Sequence, residues 1–297
     1  MTSLIEKYIK YLRYERNYSL HTEISYFEDL SQFRTFLEDH DEEIDVGSVD
    51  GDIVRQWIVC LMESEMSART VNRKLSALKS FYKYLQRIGE VSDSPMKRVV
   101  GPKMKRPLPT FVSHADMERV LDESNFDNTF ESVRNKTILE LFYITGMREA
   151  ELIGLTDKDV DFSNRTIQVT GKRNKQRLIP LSEKSLNKLR VYLNRRDEEF
   201  GACAFPSFFV RRDGAKLHPT LVYKLVHEAL EAIPTLAKAS PHVLRHSFAT
   251  NMLNNGADIN AVKEILGHAS LASTEVYTHT TFEELKKIYD KAHPRAE

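Results

Sequence analysis

The chain has 297 residues, of which 41% are hydrophobic and 29% charged, a composition that predicts a soluble globular protein of about two domains. No segment approaches the ~20 apolar residues of a membrane span, and the charged N-terminus lacks the apolar core of a secretory signal, so we expect a cytoplasmic protein with no membrane partner. The two cysteines, Cys60 and Cys203, stand far apart, which excludes a disulfide scaffold and a cysteine-based zinc site.

The net charge of zero hides a local asymmetry. Residues 1–60 carry six Lys and Arg against thirteen Asp and Glu, whereas residues 61–110 carry eleven against four. Because salt limits the reach of a charge to about 10 Å, a polyanion responds to such a local block rather than to the average. The basic block predicts a nucleic-acid surface, although a solvated helix face beside a charged linker would give the same pattern.

The first domain, residues 1–88, is predicted to be a small helical bundle. Its apolar residues recur at helical spacing in four segments, near Leu4–Leu12, Tyr26–Leu37, Ile53–Met62 and Thr70–Leu85. Residues 89–110 then combine glycines and prolines with lysines and arginines, which predicts an extended basic linker. Such a linker can follow a DNA backbone or serve as a plain hinge.

The second domain, residues 111–297, is predicted to be mostly helical with one small antiparallel sheet. Ser113-His-Ala-Asp116 is a helix start signal, and an apolar helix follows around Thr137–Thr145. Thr166–Thr170 and Gln176–Leu181 alternate around a basic tip and predict a β-hairpin. We expect Phe208–Val210 and Lys216–Leu217 to complete the sheet. The remaining helices are predicted near Pro219–Ala232, Pro241–Asn254, Ile259–Leu266, Leu271–Tyr277 and Thr281–Lys291.

Several classes of site are disfavoured by the motifs that the sequence lacks. It has no glycine-rich phosphate loop, which argues against nucleotide hydrolysis and dinucleotide redox chemistry. His242 and His246 have the spacing of a zinc helix, but Val243 stands where a metalloprotease needs Glu, and Arg245 lies between the two imidazoles. We therefore expect neither a metal nor a cofactor.

A set of cationic side chains and one tyrosine occupies strongly structured positions. Arg148 follows a Gly146 turn at a predicted helix start, Lys172 is at the hairpin tip, and Ser240-Pro241 begins the helix that carries His242 and Arg245; the set closes with His268, after a helix-ending Gly267, and Tyr277. Alone, each is most often an ordinary surface or core residue. Together they can bind a phosphodiester, stabilise its pentacovalent transition state, supply a nucleophile and protonate a departing sugar oxygen, without a metal.

At these residues the chain resembles the tyrosine recombinase (λ-integrase-like) family and, within it, the Xer recombinases of the XerC/XerD type. The matching stretches include TGMREAELIGL, VTGKRNKQRLIPL, SPHVLRHSFAT and NNGADINAVKEILGHASLASTEVYTH, and SARTVNRKLSALKSFYKYL matches in the first half. Met147, Glu149-Ala150 and Arg173 replace residues that are commoner in the family, but every catalytic position of the pattern is present.

The resemblance implies a mainly α fold, with an N-terminal four-helix SAM-like core-binding bundle and a λ-integrase-like catalytic core. It also implies an enzyme of type IB-like phosphoryl transfer that needs neither metal nor ATP. Tyr277 would attack the scissile phosphate, form a 3′-phosphotyrosine and free a 5′ hydroxyl, with strand exchange through a Holliday junction. The implied catalytic residues are Arg148, Lys172, His242, Arg245, His268 and Tyr277.

The resemblance further implies partners. The two domains would clamp double-stranded DNA, with expected backbone contacts from Arg69, Arg73, Lys74, Lys79, Lys105, Arg106 and Lys175. Four protomers, identical or paired with a paralogue, would assemble on two sites and exchange the C-terminal helix around Phe282–Ala292, and a septal DNA translocase could activate them. The expected role is resolution of chromosome or plasmid dimers at cell division; the alternatives are a mobile-element integrase or transposase, a strand-relaxing topoisomerase and a non-catalytic DNA-binding protein.

Overall fold

The computed structural model describes residues 1–40, 45–104, 111–171, 174–201, 205, 207–267 and 282–295. The chain divides into two units, Met1–Pro107 and Leu108–Glu297, and the division falls inside the predicted linker. The first unit is helical and the second is mainly helical with a small antiparallel sheet, which confirms the predicted fold class. No helix in these ranges combines the length and apolar content of a membrane span.

The first unit contains the four predicted helices, which are α1 (Thr2–Tyr14), α2 (Leu20–His40), α3 (Gly51–Glu63) and α4 (Ala68–Arg87). Asp50 begins α3 by accepting from the N–H groups of Asp52 and Ile53, and Ser67 begins α4 by accepting from the Thr70 N–H. The helices enclose an aromatic core whose fully buried members include Tyr8, Phe33, Trp57, Phe81 and Tyr82.

The segment after α4 packs on this bundle. Val91 and Met96 are buried in the first core, and Met96 lies in a 3₁₀ turn, Pro95–Arg98. The Asn72 side-chain amide donates to the Pro102 carbonyl at 2.8 Å. The N-terminal part of the predicted extended linker is therefore fixed to the bundle, because two of its apolar side chains find places in the core.

The second unit is built around a buried helix, α6. Its helices are α5 (His114–Val120), α6 (Phe130–Thr145), α7 (Glu149–Gly154), α8 (Glu183–Phe200), α9 (Pro219–Glu231), α10 (Pro241–Asn254), α11 (Ile259–Leu266) and α12 (Phe282–Ala292). Ser113 caps α5 as predicted, through the Asp116 N–H. Leu244, Phe248 and Met252, spaced one turn apart on α10, are fully buried and form the predicted core face. The helix α8 was not predicted.

The sheet has the order β1-β2-β3, with β1 Val160–Asp161, β2 Thr166–Thr170 and β3 Gln176–Pro180, all antiparallel. The predicted hairpin is confirmed: Thr170 pairs with Gln176, and the Gly171 N–H donates to the Lys175 carbonyl at 2.8 Å.

The prediction that Phe208–Val210 and Lys216–Leu217 complete the sheet was wrong. Between them the described residues form only the isolated bridge Val210–Lys216. The reason is a buried tyrosine of α8: the Tyr192 hydroxyl donates to the Phe208 carbonyl and accepts from the Val210 N–H, each at 3.2 Å. These backbone groups are satisfied by a side chain, so they need no neighbouring strand.

The helix α12 packs against its own unit. Tyr289 is fully buried and its hydroxyl donates to the Ile144 carbonyl at 3.0 Å, while the Asn255 amide donates to the Ala292 carbonyl at 2.8 Å. His293 follows in a buried position; its Nδ1 accepts from the Arg295 N–H at 3.1 Å, and its ring stacks on Tyr289. The C-terminal helix thus completes the core of the chain that carries it.

Candidate active site

The site begins at the turn between α6 and α7. Gly146 ends α6 with φ +58°, and a Cβ at this position would lie 2.7 Å from the Phe248 ring, so both backbone and space require glycine. The turn brings Arg148 to the N-cap of α7, the helix start predicted from the sequence.

Arg148 is fixed at its backbone and partly exposed at its tip. Its N–H donates to Glu151 Oε2 and its Nη1 donates to Glu151 Oε1, each at 2.8 Å. Its Nη2 donates to the Gly267 carbonyl at 3.3 Å, and 36% of the side chain is exposed. The guanidinium is therefore oriented by the protein and still accessible to an anion.

Arg245 on α10 is more deeply placed. Its Nη1 donates to the Gly146 carbonyl and its Nη2 to the Leu266 carbonyl, each at 2.6 Å, and the residue is only 8% exposed. Burial and the nearby charge of Arg148 lower the pKa of Arg245 to about 10, so it stays protonated at neutral pH. His242 lies one turn earlier on α10 and is exposed.

Glu151 is the anionic centre of the cluster. Both of its oxygens also accept from Arg177 on β3, through Nη1 and Nη2, each at 2.8 Å. Burial favours the neutral acid, but the hydrogen bonds from Arg177 and from the Arg148 N–H outweigh it and lower the pKa of Glu151 to about 2. Both Glu151 oxygens therefore accept hydrogen bonds from two arginines each. Among the described residues, no group of three His, Cys, Asp or Glu is arranged to hold a metal.

Three arginines converge on the C-terminal end of α11. Arg177 Nε donates to the Ile265 carbonyl at 2.6 Å, while Arg245 and Arg148 donate to the carbonyls of residues 266 and 267. Gly267 ends α11 in the left-handed conformation, as predicted, and a Cβ there would lie 3.1 Å from Arg177 Cδ. Cations stabilise a helix C-terminus, whose last carbonyls lack intrahelical partners.

The structure therefore brings together the two predicted arginines, Arg148 and Arg245, with His242 one turn from the second. Gly171, at the described end of the hairpin, also borders this cluster, since a Cβ there would lie 3.2 Å from Glu151 Oε1. The predicted residues Lys172, His268 and Tyr277 lie outside the described residues, as does the predicted helix Leu271–Tyr277.

Glu151 and Arg177 were missed by the sequence analysis, although each leaves a signal. Glu151 stands at the third position of α7, where an acidic side chain can return to the backbone of the N-cap residue. Arg177 shares a strand face with the buried Ile179, so a charged residue stands on the inward side of a hairpin. A buried charge is stable only with a partner of opposite charge, so this pattern predicts an acidic residue beside Arg177.

Among the described residues of the first unit, the predicted DNA contacts lie on α4. Arg69 and Lys79 are exposed. Arg73 is 43% exposed, donates to the Ser25 hydroxyl at 2.5 Å and pairs with Asp29. In the second unit Lys175 is exposed at the start of β3, and the predicted Lys105 and Arg106 lie outside the described residues.

Lys74 does not belong with this exposed set. It is only 3% exposed, and its ammonium donates to Asp29 Oδ1 at 2.9 Å and to Gln32 Oε1 at 2.5 Å. A lysine enclosed in this way cannot reach a phosphate without breaking its ion pair. We correct its expected role from a DNA contact to a structural link between α2 and α4.

The chain matches the model of the phage integrase family over residues 110–284 and that of the phage integrase N-terminal SAM-like domain over residues 5–89. It is similar to the protein named tyrosine recombinase XerC in two bacteria. It is 38% identical to that of Chlorobaculum parvum (98% of this chain, 94% of the relative) and 37% identical to that of Halalkalibacterium halodurans (98% and 97%).

Two solved structures share the fold. One is the XerH site-specific recombinase bound to difH substrate in a pre-cleavage complex, with a TM-score of 0.70, 24% identity and coverage of 97% of this chain and 83% of that one. The other is a lambda integrase(75–356) dimer bound to a COC′ core site, with a TM-score of 0.70, 14% identity and coverage of 94% and 99%.

Proposed function

The chain belongs to the phage integrase family and is a XerC-type tyrosine recombinase, an enzyme of DNA strand exchange; from this premise we propose how its residues divide the work. Arg148 and Arg245 bind the non-bridging oxygens of the scissile phosphate. One observation carries this assignment: both guanidiniums are held against adjacent carbonyls at the end of α11, oriented before any phosphate arrives. Donors fixed in advance stabilise developing negative charge most effectively.

The proposed chemistry is a transesterification. The Tyr277 phenol gives its proton to a histidine of the site as its oxygen attacks phosphorus and forms a 3′-phosphotyrosine, while the bond from phosphorus to the 5′ oxygen breaks. The electron pair leaves with that oxygen, which takes a proton from Lys172. The phosphotyrosine retains the energy of the diester, so a 5′ hydroxyl from a second duplex reverses the step without ATP.

His242 and His268 assist by hydrogen bonding to the phosphate and by moving protons. The support from the structure concerns His242, which is exposed one turn before Arg245 and follows Pro241 at the first turn of α10. Backbone N–H groups and the helix dipole at such a position favour an anion. The assignment of His268 rests on the sequence resemblance alone.

Sequence-independent DNA contacts come from exposed cations. We assign them to Arg69, Arg73, Lys79 and Lys175, together with Lys105 and Arg106 from the sequence pattern. The exposure of the described members supports this set. Lys74 is left out because its ammonium is enclosed in the core of the first unit.

The active assembly is a tetramer on two DNA sites, of this chain alone or with a paralogue, and strands exchange through a Holliday junction. In it α12 occupies the place on a neighbour that it occupies here on its own unit, so that the contact of Tyr289 with Ile144 forms between protomers. We propose that the enzyme resolves chromosome or plasmid dimers in the cytoplasm, with a septal DNA translocase as activator. The similarity to proteins named XerC supports this role over that of a mobile-element integrase.

Covalent attachment to DNA tests the chemistry. The full chain would first enrich its binding site from a randomised duplex library, and a panel of these duplexes nicked at successive positions would trap the cleaved strand. Wild type should give a denaturant-resistant adduct. Tyr277→Phe should give none, while Tyr223→Phe, at an exposed tyrosine of α9, should match wild type. An adduct with Tyr277→Phe would overturn the assignment of the nucleophile.

The cellular role has a separate test. Sequencing of DNA bound by the chain in its host should recover one site near the replication terminus, and deletion should give filamentous cells with unresolved chromosome dimers. Sites confined to the ends of a mobile element, with normal cell division after deletion, would favour the integrase alternative.

A further inference from the structure

We propose that Arg177, to which neither the resemblance nor the comparisons assign a role, is a positioning residue for DNA strand cleavage, an inference that rests on the function proposed above. It holds Glu151, Arg148 and the end of α11 in one fixed arrangement. Its effect on the reaction comes through these groups and not through contact with the reacting atoms.

The first support is that all three guanidinium nitrogens of Arg177 are used. Nη1 and Nη2 donate to the two oxygens of Glu151 at 2.8 Å, and Nε donates to the Ile265 carbonyl at 2.6 Å. The side chain is only 12% exposed. This is the bidentate geometry that a planar guanidinium can make and an ammonium cannot.

The second support is that Glu151 is shared. Each Glu151 oxygen that accepts from Arg177 also accepts from Arg148, one from its Nη1 and the other from its N–H. Loss of Arg177 would leave a buried carboxylate with half of its donors, free to turn and to draw the Arg148 guanidinium with it. The position of Arg148 thus depends on a residue of another element.

The third support is the link to α11. Arg177 binds the Ile265 carbonyl, and Arg245 and Arg148 bind the next two carbonyls along the chain. The Arg177 Cδ also lies where a Cβ of Gly267 would be crowded, at 3.1 Å. A shift of this helix end would therefore be transmitted to both phosphate-binding arginines.

A buried ion pair that only stabilises the fold would behave differently. Its loss would lower the folded fraction, and DNA binding and cleavage would fall together. A positioning role instead lowers the rate of cleavage on DNA that is already bound. A misplacement of about 1 Å at a reacting centre can cost ~10²-fold in rate.

The pH profile separates the two roles further. The charged groups that face Glu151 among the described residues are Arg148 at the start of its own helix, Arg177 on β3 and Arg245 on α10. With Arg177 present, the pKa of Glu151 is about 2 and its charge is constant at working pH. Without Arg177, the pKa of Glu151 loses the largest of the hydrogen-bond contributions that lower it and rises, so the carboxyl takes up a proton and releases Arg148 at a higher pH than in wild type.

The experiment uses the full chain, the nicked duplex described above and single-turnover adduct formation at saturating protein, with circular dichroism and gel-shift affinity measured in parallel. Arg177→Met should slow adduct formation by ~10²-fold while DNA affinity stays near that of wild type. Its rate relative to wild type should fall further as the pH is lowered. Arg177→Lys, which keeps the charge without the fork, should lose roughly tenfold and show a flatter pH profile. Arg190→Met, at a half-buried arginine of α8 that pairs with Glu183, is the matched control.

The inference is overturned if Arg177→Met cleaves at the wild-type rate, if its loss of rate equals its loss of DNA binding, or if its rate relative to wild type rises as the pH falls. If Arg177→Met fails to fold, the rate of adduct formation by Arg177→Lys tests the inference instead. A wild-type rate for Arg177→Lys would then overturn it. If wild type itself forms no adduct that depends on Tyr277, the proposed function has failed and the inference with it. A normal wild-type adduct beside an unaffected Arg177→Met refutes the positioning role alone.

Discussion

In the proposed function, the exposed basic residues of α4 and the arginines at the end of α11 represent two ways to place positive charge for a polyanion. On α4, Arg69 and Lys79 extend into solvent from the exposed face of an amphipathic helix. At α11, by contrast, Arg245 and Arg177 are enclosed and bind backbone carbonyls. The difference teaches that electrostatic attraction of DNA needs only positive charge near the protein surface. Stabilisation of a transition state needs each hydrogen-bond donor at a fixed position. Substitutions should therefore act on binding in one region and on rate in the other.

The largest effect is expected at Arg245. Arg245→Lys keeps the charge but cannot reach the carbonyls of Gly146 and Leu266 together, so we expect adduct formation to fall by ~10²–10³-fold. DNA affinity should change far less, because the charge is retained. Adduct formation on the nicked duplex and a gel shift measure the two quantities, with Arg190→Lys as the control. A parallel loss of rate and affinity would break the comparison.

The next effect sharpens the comparison within α4 itself. Lys74→Met removes a buried ammonium from Asp29, and we expect the free energy of unfolding to fall by about 2–3 kcal/mol, since Arg73 still pairs with that carboxylate. Urea denaturation checks this value, and the exposed Lys79→Met is the control on the same helix. An unchanged midpoint for Lys74→Met would show that Lys74 is not a structural link.

A third prediction concerns acid stability of the second unit. Burial lowers the pKa of His293 to about 3, from an ordinary value of about 6.5. Between these two pH values the imidazole is protonated in the unfolded chain and neutral in the folded chain. The contribution of His293 to the free energy of unfolding is therefore fully present above about pH 6.5 and is lost as the pH drops towards 3. At pH 5 the loss from this group is about 2 kcal/mol. Denaturation of wild type and His293→Phe over this range measures it. Parallel curves for the two proteins would contradict the prediction.

The smallest effect is expected at the exposed cations. Lys79→Ala should make the slope of log K against log salt less steep by about 0.9, because one phosphate contact is lost. The rate of cleavage on saturated DNA should stay at the wild-type value. Lys10→Ala, at an exposed lysine of α1, is the control for a charge outside the proposed surface. A slope that does not change would remove Lys79 from the DNA-binding set.

Most of the helices and the hairpin could be predicted from local sequence signals. The α4 periodicity, the Ser113 cap and the Gly146 and Gly267 helix ends were all visible in sequence because they depend on neighbours within a few residues. The prediction that Phe208–Val210 and Lys216–Leu217 join the sheet was wrong because Tyr192, on α8, satisfies the backbone of Phe208–Val210. No local pattern reports such a contact.

In the candidate site, too, the residues with local sequence signals could be predicted and those that depend on distant contacts could not. Arg148, His242 and Arg245 were predicted from motifs. Glu151, which binds Arg148, is close to it in sequence, but Arg177 and the carbonyls at the end of α11 come from other elements. Lys74 was misread for a related reason, since its carboxylate partner lies 45 residues earlier on α2. A charged residue at helical spacing looks the same in sequence whether it faces water or a buried aspartate.

The carbonyls at the end of α11 have an electrostatic consequence. A carboxylate that held Arg245 would have cancelled its charge, but within the described part of the chain its hydrogen bonds go to neutral peptide oxygens. Glu151 pairs with Arg148 and Arg177 but not with Arg245, so the three arginines and this one carboxylate keep an excess of two positive charges. Five-coordinate phosphorus in a diester displacement carries a matching double negative charge. On the proposed function, these arginines carry the charge that balances this transition state before any DNA is bound.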